Sequence, residues 1–402
     1  MTPKRIVYLW DADYPWDVRT EKSCLALTQA GHEVHIVARN KQWRPTMETL
    51  PEGRVHRMPP WRWSGQRIDG VLGFPAFFSP RWRSLLSRIV REVRAEMIIA
   101  RDIPLCPTAV HVGRRHGVPV ILDMAENYPA MMRDLWIVGR HRPIDYAVRN
   151  PRLVQIAERY CLEHVQHILT VVEESSNRLA GLGVDPKRMT VVSNTPPISR
   201  VQKLASSSSS AGSDTGRSSI DVVYLGLLEV PRGVLEMINA VAQLAENGFK
   251  QFRLQIIGDG RDAALFRKRA AQLGLGEERV QFYGRLPYPE ALTLVARADI
   301  GVISHHANES WNTTIPNKLF DYMAAGLPVV SSDTIPCARI LRETGAGELF
   351  RSGDSADLAN ALIRLIDPSR RLELGNKGRS AIVQHYNWEH DSAALLEIVT
   401  SV

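Results

Sequence analysis

The sequence predicts an α/β protein built from two parallel-sheet domains, and three observations carry that expectation. At 402 residues the chain is long enough for two hydrophobic cores. Each half opens with an apolar run, a polar or glycine-bearing turn, an amphipathic stretch and a second apolar run, the order of a strand feeding a crossover helix. Between the halves, residues 206–219 are almost entirely Ser, Gly, Ala and Asp, a low-complexity linker composition.

Residues 5–10 read as a buried strand. A loop to Asp17 leads into a helix near 19–30, ended by Gly31, and 33–38 is the second strand. Asp11-Ala12-Asp13 stands alone at the end of the first strand, with nothing to complete a metal site. No GxGxxG follows that strand, which argues against a dinucleotide. Residues 57–94 then hold eight arginines against Asp69 and Glu92, interleaved with Trp61, Trp63, Phe74, Phe77, Phe78 and Trp82. Apolar residues at 82, 85, 86, 89, 90 and 93, with Arg81, Arg88, Arg91 and Arg94 opposite, predict an amphipathic helix. Its apolar stripe suits either packing on the sheet or an interfacial surface on anionic lipid headgroups, to which Arg62 and Arg67 would add charge. No nucleic-acid module accompanies the charge, so no nucleic-acid partner is expected.

Strands at 97–100 and 118–122 follow, the second ending in Asp123-Met124-Ala125-Glu126. Carboxylates at the carboxyl end of a parallel strand lie where α/β ligand sites form, although Asp123 equally suits capping of the next turn. A helix at 153–165 and strands at 167–172 and 189–193 complete the first domain. The second opens with a strand at 221–225, Gly226, a loop to Gly233 and a helix at 234–245. The strand at 252–257 ends in Gly258-Asp259-Gly260. The next strand, 280–283, ends in Gly284 rather than an acid, so nicotinamide is not indicated, and the two glycines instead let backbone approach closely. His305-His306 follows a strand at 300–304, with no third ligand at metal spacing.

Residues 313–330 read as a turn, a short helix and a strand. Pro316 suits a first helical turn, Thr314 or Asn317 suits its cap, and Gly326 with Pro328 stops it. Leu319, Phe320 and Met323 form the face to bury, with Lys318, Asp321 and Tyr322 on the other. Free N–H groups and Lys318 make an anion site suited to phosphate, and Asp321 one turn on is placed to hold a diol. Phosphate plus diol describes a nucleotide sugar.

The string PNKLFDYMAAGLPVV at 316–330 resembles the donor-site segment of the retaining family-four glycosyltransferases. The resemblance implies the GT-B architecture, with two Rossmann-like domains facing across a cleft. It also implies transfer of a sugar from a nucleotide diphosphate to a hydroxyl of a glycan or lipid-linked acceptor, as in cell-surface polysaccharide synthesis, without metal or cofactor. Of the two glutamates the family carries seven residues apart, the second falls on Asp321 and the first on Thr313. A basic residue that reaches the pyrophosphate falls on Arg232. A second is replaced by Leu227, and Lys318 is expected to take its place. Thr314, Asn317, Gly258 and Gly260 belong to the donor side, and Arg285 and Leu286 to the segment facing the nucleobase. Asp17, Arg19 and Asp123 are expected on the acceptor side, with Glu126 holding an acceptor hydroxyl. A nucleotide-sugar epimerase and a non-catalytic scaffold are the alternatives.

The expected boundaries are 1–200 for the acceptor domain, 201–219 for the linker, 220–386 for the donor domain, and 387–402 for a helix crossing back. Composition is ordinary for a soluble protein, with 44% hydrophobic and 23% charged residues and a net charge of +7. The absence of a long apolar run or leader, and four well-separated cysteines, point to a cytoplasmic protein on the inner membrane face with free thiols.

Overall fold

The computed structural model describes residues 2–15, 17–61, 77–137, 146, 149–209 and 219–402. Arg62, Trp63, Arg67, Asp69, Phe74 and residues 210–218 of the serine-rich stretch lie outside the described residues. The chain divides into two compact units, Met1–Ser193 with Asp391–Val402, and Asn194–His390.

The first unit holds strands β1 (Arg5–Asp13), β2 (Glu33–Arg39), β3 (Met47–Leu50), β4 (Gly53–Arg57), β5 (Met97–Arg101), β6 (Val120–Asp123), β7 (His167–Thr170) and β8 (Met189–Val191). They form one sheet in the order β3-β4-β2-β1-β5-β6-β7-β8. Only β3 runs antiparallel to its neighbour, pairing Met47 with His56 and Glu48 with Val55. Ile6, Val7, Tyr8 and Leu9 of central β1 are all buried, the continuous apolar run of a strand covered on both faces. Ile6 pairs with Val34 on one side and Met97 on the other.

The arginine-rich helix is Pro80–Glu92, and Trp82, Leu85, Leu86, Ile89 and Val90 all join the core of this unit. Of the two uses open to its apolar stripe, packing on the sheet is the one observed. Arg83, Arg88, Arg91 and Arg94 remain exposed, as do Trp61 and Phe78. Arg57 is not a surface charge: it is buried, donates to the carbonyls of Tyr14 and Pro45, and pairs with Glu48. All four cysteines are free and buried.

The second unit holds β9 (Ile220–Leu225), β10 (Phe252–Ile257), β11 (Val280–Gly284), β12 (Ile300–Ile303), β13 (Val329–Ser332) and β14 (Gly347–Phe350). Their order is β11-β10-β9-β12-β13-β14, with every pair parallel. Val222 pairs with Leu254 and Ile300 across the central strand. The strand order reverses direction between β9 and β12, the switch point beside which open α/β sheets bind ligands.

The expected linker begins differently from its composition. Residues Ile198–Ser209 are helical, and Val201 and Leu204 are buried in the second unit. Two well-spaced apolar residues outweigh the weak helix propensity of serine. The last helix, Trp388–Ser401, leaves the second unit and joins the first, where Asp391 accepts from the Ser193 amide (3.0 Å) and the Val399 carbonyl accepts from Lys4 (2.8 Å). Among the described residues no helix is long and apolar enough to cross a membrane.

Candidate active site

In the second unit the site grows from the carboxyl ends of β9, β10 and β12. The helix after β12 starts at Lys318 rather than Pro316, and Asn317 precedes it with no side-chain cap. Asn317 is exposed and Thr314 buried. The helix is also buried all round, not on one face only. Tyr322 is fully buried, and its hydroxyl oxygen accepts from the Leu225 amide at 2.9 Å. Room for that ring exists because residue 301 is glycine: a Cβ there would lie 2.5 Å from the Tyr322 ring.

Lys318 is 7% exposed, and its amine has no hydrogen-bond partner. Nζ lies 3.8 Å from the centroid of the Tyr224 ring. A Cβ on Gly226, where φ is +152°, would come within 2.8 Å of that amine. The lysine therefore reaches the loop position immediately before Leu227. Burial, reinforced by Arg232, holds its amine well below the usual lysine range.

Arg232 ends the same loop. Ser304 Oγ donates to the Arg232 carbonyl (2.8 Å), the His306 amide to Pro231 O (3.0 Å), and the Val230 amide to Asp262 (3.1 Å). These bonds fix the backbone that presents the guanidinium. The guanidinium itself sits 5.1 Å from the Trp311 ring centroid and 3.4 Å from His305 Nε2, and its buried Nε has no partner. His305 is fully buried with Nδ1 unpartnered. Burial, then Lys318 and Arg232, keep it well below the usual histidine range, so it is neutral. Among the described residues neither Lys318 nor Arg232 forms an ion pair with a carboxylate. Buried charge without a counter-ion is costly, and an incoming anion relieves that cost.

Beside this cluster lies a cavity of about 490 Å³ lined by Leu225, Gly226, Leu227, Gly258, Gly260, Arg285 and Leu286, among others. Its floor depends on Gly258, where φ is +143° and a Cβ would meet the Gly226 carbonyl oxygen at 1.9 Å. Leu227 is exposed and apolar, and carries no phosphate donor in its side chain. Thr313 Oγ1 donates to Glu309 O at 2.8 Å. Asp321 is buried and accepts from the Tyr288 hydroxyl (2.8 Å), with Arg200 NH1 at 3.5 Å. The sequence reading did not single out Tyr224, Tyr288, Arg200 or Trp311. It considered His305 only as a metal ligand, although its place just beyond a parallel strand was the available signal.

The residues expected on the acceptor side gather in the first unit, at the ends of β1, β5 and β6. Asp123 is 1% exposed. One oxygen accepts from Arg19 Nε and Nη2 (2.8 and 2.6 Å), the other from the Tyr8 hydroxyl, and Arg19 Nη1 donates to Val192 O. Arg19 is the first cause of a carboxyl pKa held below the usual range against desolvation. This pair is satisfied internally, and Asp123 does not cap the turn. Asp17 caps the first helix through Thr20 N (2.7 Å). Glu126 is half-buried, its amide donating to Asp102 at 3.3 Å. Asp13 accepts from the Lys41 amide, whereas burial and Asp102 push the Asp11 carboxyl up to about 6. No group of three or more His, Cys, Asp or Glu residues with metal-ligating geometry occurs among the described residues.

Two doubly wound units of this kind define the GT-B class. Sucrose-phosphate synthase from Thermosynechococcus elongatus superposes with a TM-score of 0.77 and 17% identity, over 99% of this chain and 98% of that one. Residues 17–195 match the family "Glycosyl transferase 4-like domain", and 219–368 match "Glycosyl transferases group 1". The chain belongs to the GT-B glycosyltransferases of this family-four, group 1 type. It is 29% identical to a phosphatidyl-myo-inositol mannosyltransferase of Mycobacterium leprae, over 45% of this chain and 46% of that protein. The match thus spans about half the length of that relative. A D-inositol 3-phosphate glycosyltransferase of Nocardia farcinica is 25% identical, over 77% of this chain and 74% of that protein.

Proposed function

We propose that this chain transfers a sugar from a nucleoside diphosphate to a hydroxyl of a glycan or lipid-linked acceptor, with retention of configuration and without a metal. One observation carries the reading: Lys318 and Arg232 are cations with buried, unpartnered nitrogens beside a glycine-floored cavity. In this reading the diphosphate lies against both, and the nucleoside occupies the cavity near Arg285 and Leu286. Asp321 holds the ribose diol, with Thr314 and Asn317 flanking the donor. The two cations meet charge that grows on the departing phosphate, so their effect is greatest in the transition state. Lys318 does the work of the cation missing at Leu227, which its approach to Gly226 supports.

Glu126 is the group proposed to hold the acceptor hydroxyl. Arg19, Asp123 and Asp17 shape the acceptor side by fixing the ends of β1 and β6. Relatives named for phosphatidyl-inositol and inositol phosphate support a hydroxyl-rich, lipid-linked acceptor. That acceptor places the enzyme peripherally on the cytoplasmic face of an anionic membrane. Exposed Arg83, Arg88, Arg91 and Arg94, with Trp61 and Phe78, supply the contact.

A thermal-shift panel of nucleoside diphosphates tests the donor reading, because a bound ligand stabilises by RT ln(1 + [L]/Kd). At least one diphosphate raises the midpoint of the full chain, and Arg232→Ala removes the rise. No shift with any diphosphate at millimolar concentration would refute the reading.

A further inference from the structure

Each cation of the site is oriented by a neutral ring instead of a carboxylate. The Lys318 amine lies over Tyr224, at 3.8 Å from the ring centroid. The Arg232 guanidinium lies over Trp311, at 5.1 Å, with its Nη1 3.4 Å from His305 Nε2. The Trp311 and His305 rings are themselves packed, with centroids 4.1 Å apart and planes tilted by 60°. His305 is fixed in turn by Ser332, whose Oγ donates to the His305 carbonyl at 2.7 Å. A carboxylate in the place of either ring would orient the cation equally well, but it would cancel the charge. The face of a ring orients a cation through its quadrupole and leaves the full charge to the ligand.

We propose that Tyr224, Trp311 and His305 form a neutral aromatic cradle that positions Lys318 and Arg232 for a diphosphate while keeping both uncompensated. Trp311 is the discriminating member. It is only half-buried and follows the end of β12 by eight residues in an irregular loop, so its side chain is not a framework element of the sheet. These are positioning residues, since they act on the anion through the two cations. The inference rests on the anion-site reading above, and it adds what holds that site open to a ligand.

The test uses inorganic pyrophosphate as the probe, titrated calorimetrically into the full chain and into Trp311→Phe, Trp311→Leu and Trp311→Glu. A desolvated cation–π contact makes Trp311→Leu bind roughly 5- to 30-fold more weakly, while Trp311→Phe recovers most of the affinity. Trp311→Glu binds more weakly than Trp311→Leu, because it supplies the counter-ion that the cradle avoids. A structural role alone predicts a different order, with Leu and Glu alike and no correlation with ring content. Thermal unfolding without ligand is run on each variant, and Trp311→Phe keeps the comparison interpretable if Leu or Glu destabilises the loop. Equal affinity of Trp311→Leu and the parent overturns the cradle while leaving the anion site standing. So does a Glu variant that binds as well as Phe. Failure of the parent chain itself to bind pyrophosphate overturns the anion site and the cradle with it.

Discussion

Replacing Lys318 by methionine separates binding from stability in opposite directions. Methionine nearly matches the length of the lysine stem and keeps contact with the Tyr224 ring, so packing changes little. What is lost is a charge whose amine is buried and unpartnered. Removing such a charge stabilises the free protein by on the order of 1–2 kcal/mol, the lower part of the range for replacing buried charges with apolar groups. For a unit of this size that raises the melting midpoint by about 2–8 °C. Binding moves the other way. A charge-assisted hydrogen bond to phosphate contributes about 1.5–3 kcal/mol, so diphosphate affinity falls roughly 10- to 150-fold. The pH dependence follows from the direction of the shift. A lysine held below its unfolded value of about 10.4 destabilises the fold fully below its folded pKa, and the penalty fades as pH rises towards the unfolded value. The advantage of Lys318→Met is therefore full below the folded pKa and shrinks as pH rises towards about 10. Differential scanning calorimetry and titration on the same preparation read both effects. A variant that is less stable than the parent at pH 7, or one that binds diphosphate equally well, refutes the reasoning.

Other outcomes follow from individual contacts. Asp321→Ala weakens nucleoside diphosphate binding by roughly 30- to 1,000-fold, from about 2–4 kcal/mol of charge-assisted hydrogen bonds, while inorganic pyrophosphate affinity changes little; parallel titrations separate the two ligands. Gly258→Ala destabilises the second unit by about 1–3 kcal/mol in urea unfolding, since the added Cβ meets the Gly226 carbonyl in a left-handed backbone. Asp11, with its carboxyl raised to about 6, favours the fold below the unfolded value near 3.9 and loses that contribution as pH rises through 6. Asp11→Asn is accordingly more stable than the parent by about 1–2 kcal/mol above pH 6, with no difference below pH 4, as read from urea midpoints across pH. Charge reversal at Arg83, Arg88 and Arg91 reduces sedimentation with anionic vesicles, each arginine contributing up to about 1 kcal/mol.

The parts of the fold written in local pattern were the legible ones. The apolar runs of β1, β9 and β10, with Gly226 and Gly258 directly after β9 and β10 and Gly284 closing β11, announced parallel α/β units, because burial on both faces leaves few polar positions in a strand. The edge pair β3 and β4 was not anticipated, since Arg54, His56 and Arg57 make it look like loop. Only the fold reveals that Arg57 is sheltered by Tyr14, Pro45 and Glu48. Helical periodicity placed the stripe of Pro80–Glu92 correctly but not what covers it, because an apolar face against a sheet and one against lipid have the same spacing. At the site, Lys318 and Asp321 stood out as charges one turn apart on a short helix, and Arg232 through the family resemblance. Tyr224, Trp311 and Tyr288 did not, as a ring that orients a cation or a carboxylate reads in sequence as one more core residue. Arg19 and Asp123 show the reverse case: two conspicuous charges, 104 positions apart, whose principal partners are each other.

The central claim is that Lys318 and Arg232 leave an uncompensated positive site for a donor diphosphate. Calorimetric titration of the full chain with a nucleoside diphosphate and with its parent nucleoside tests it most directly, at low and at high salt. Two charge-assisted contacts make the diphosphate bind at least about 100-fold more tightly than the nucleoside, and the Lys318→Ala, Arg232→Ala double variant erases the difference. A nucleoside that binds as tightly as its diphosphate, or a double variant that still prefers the diphosphate, would contradict the account.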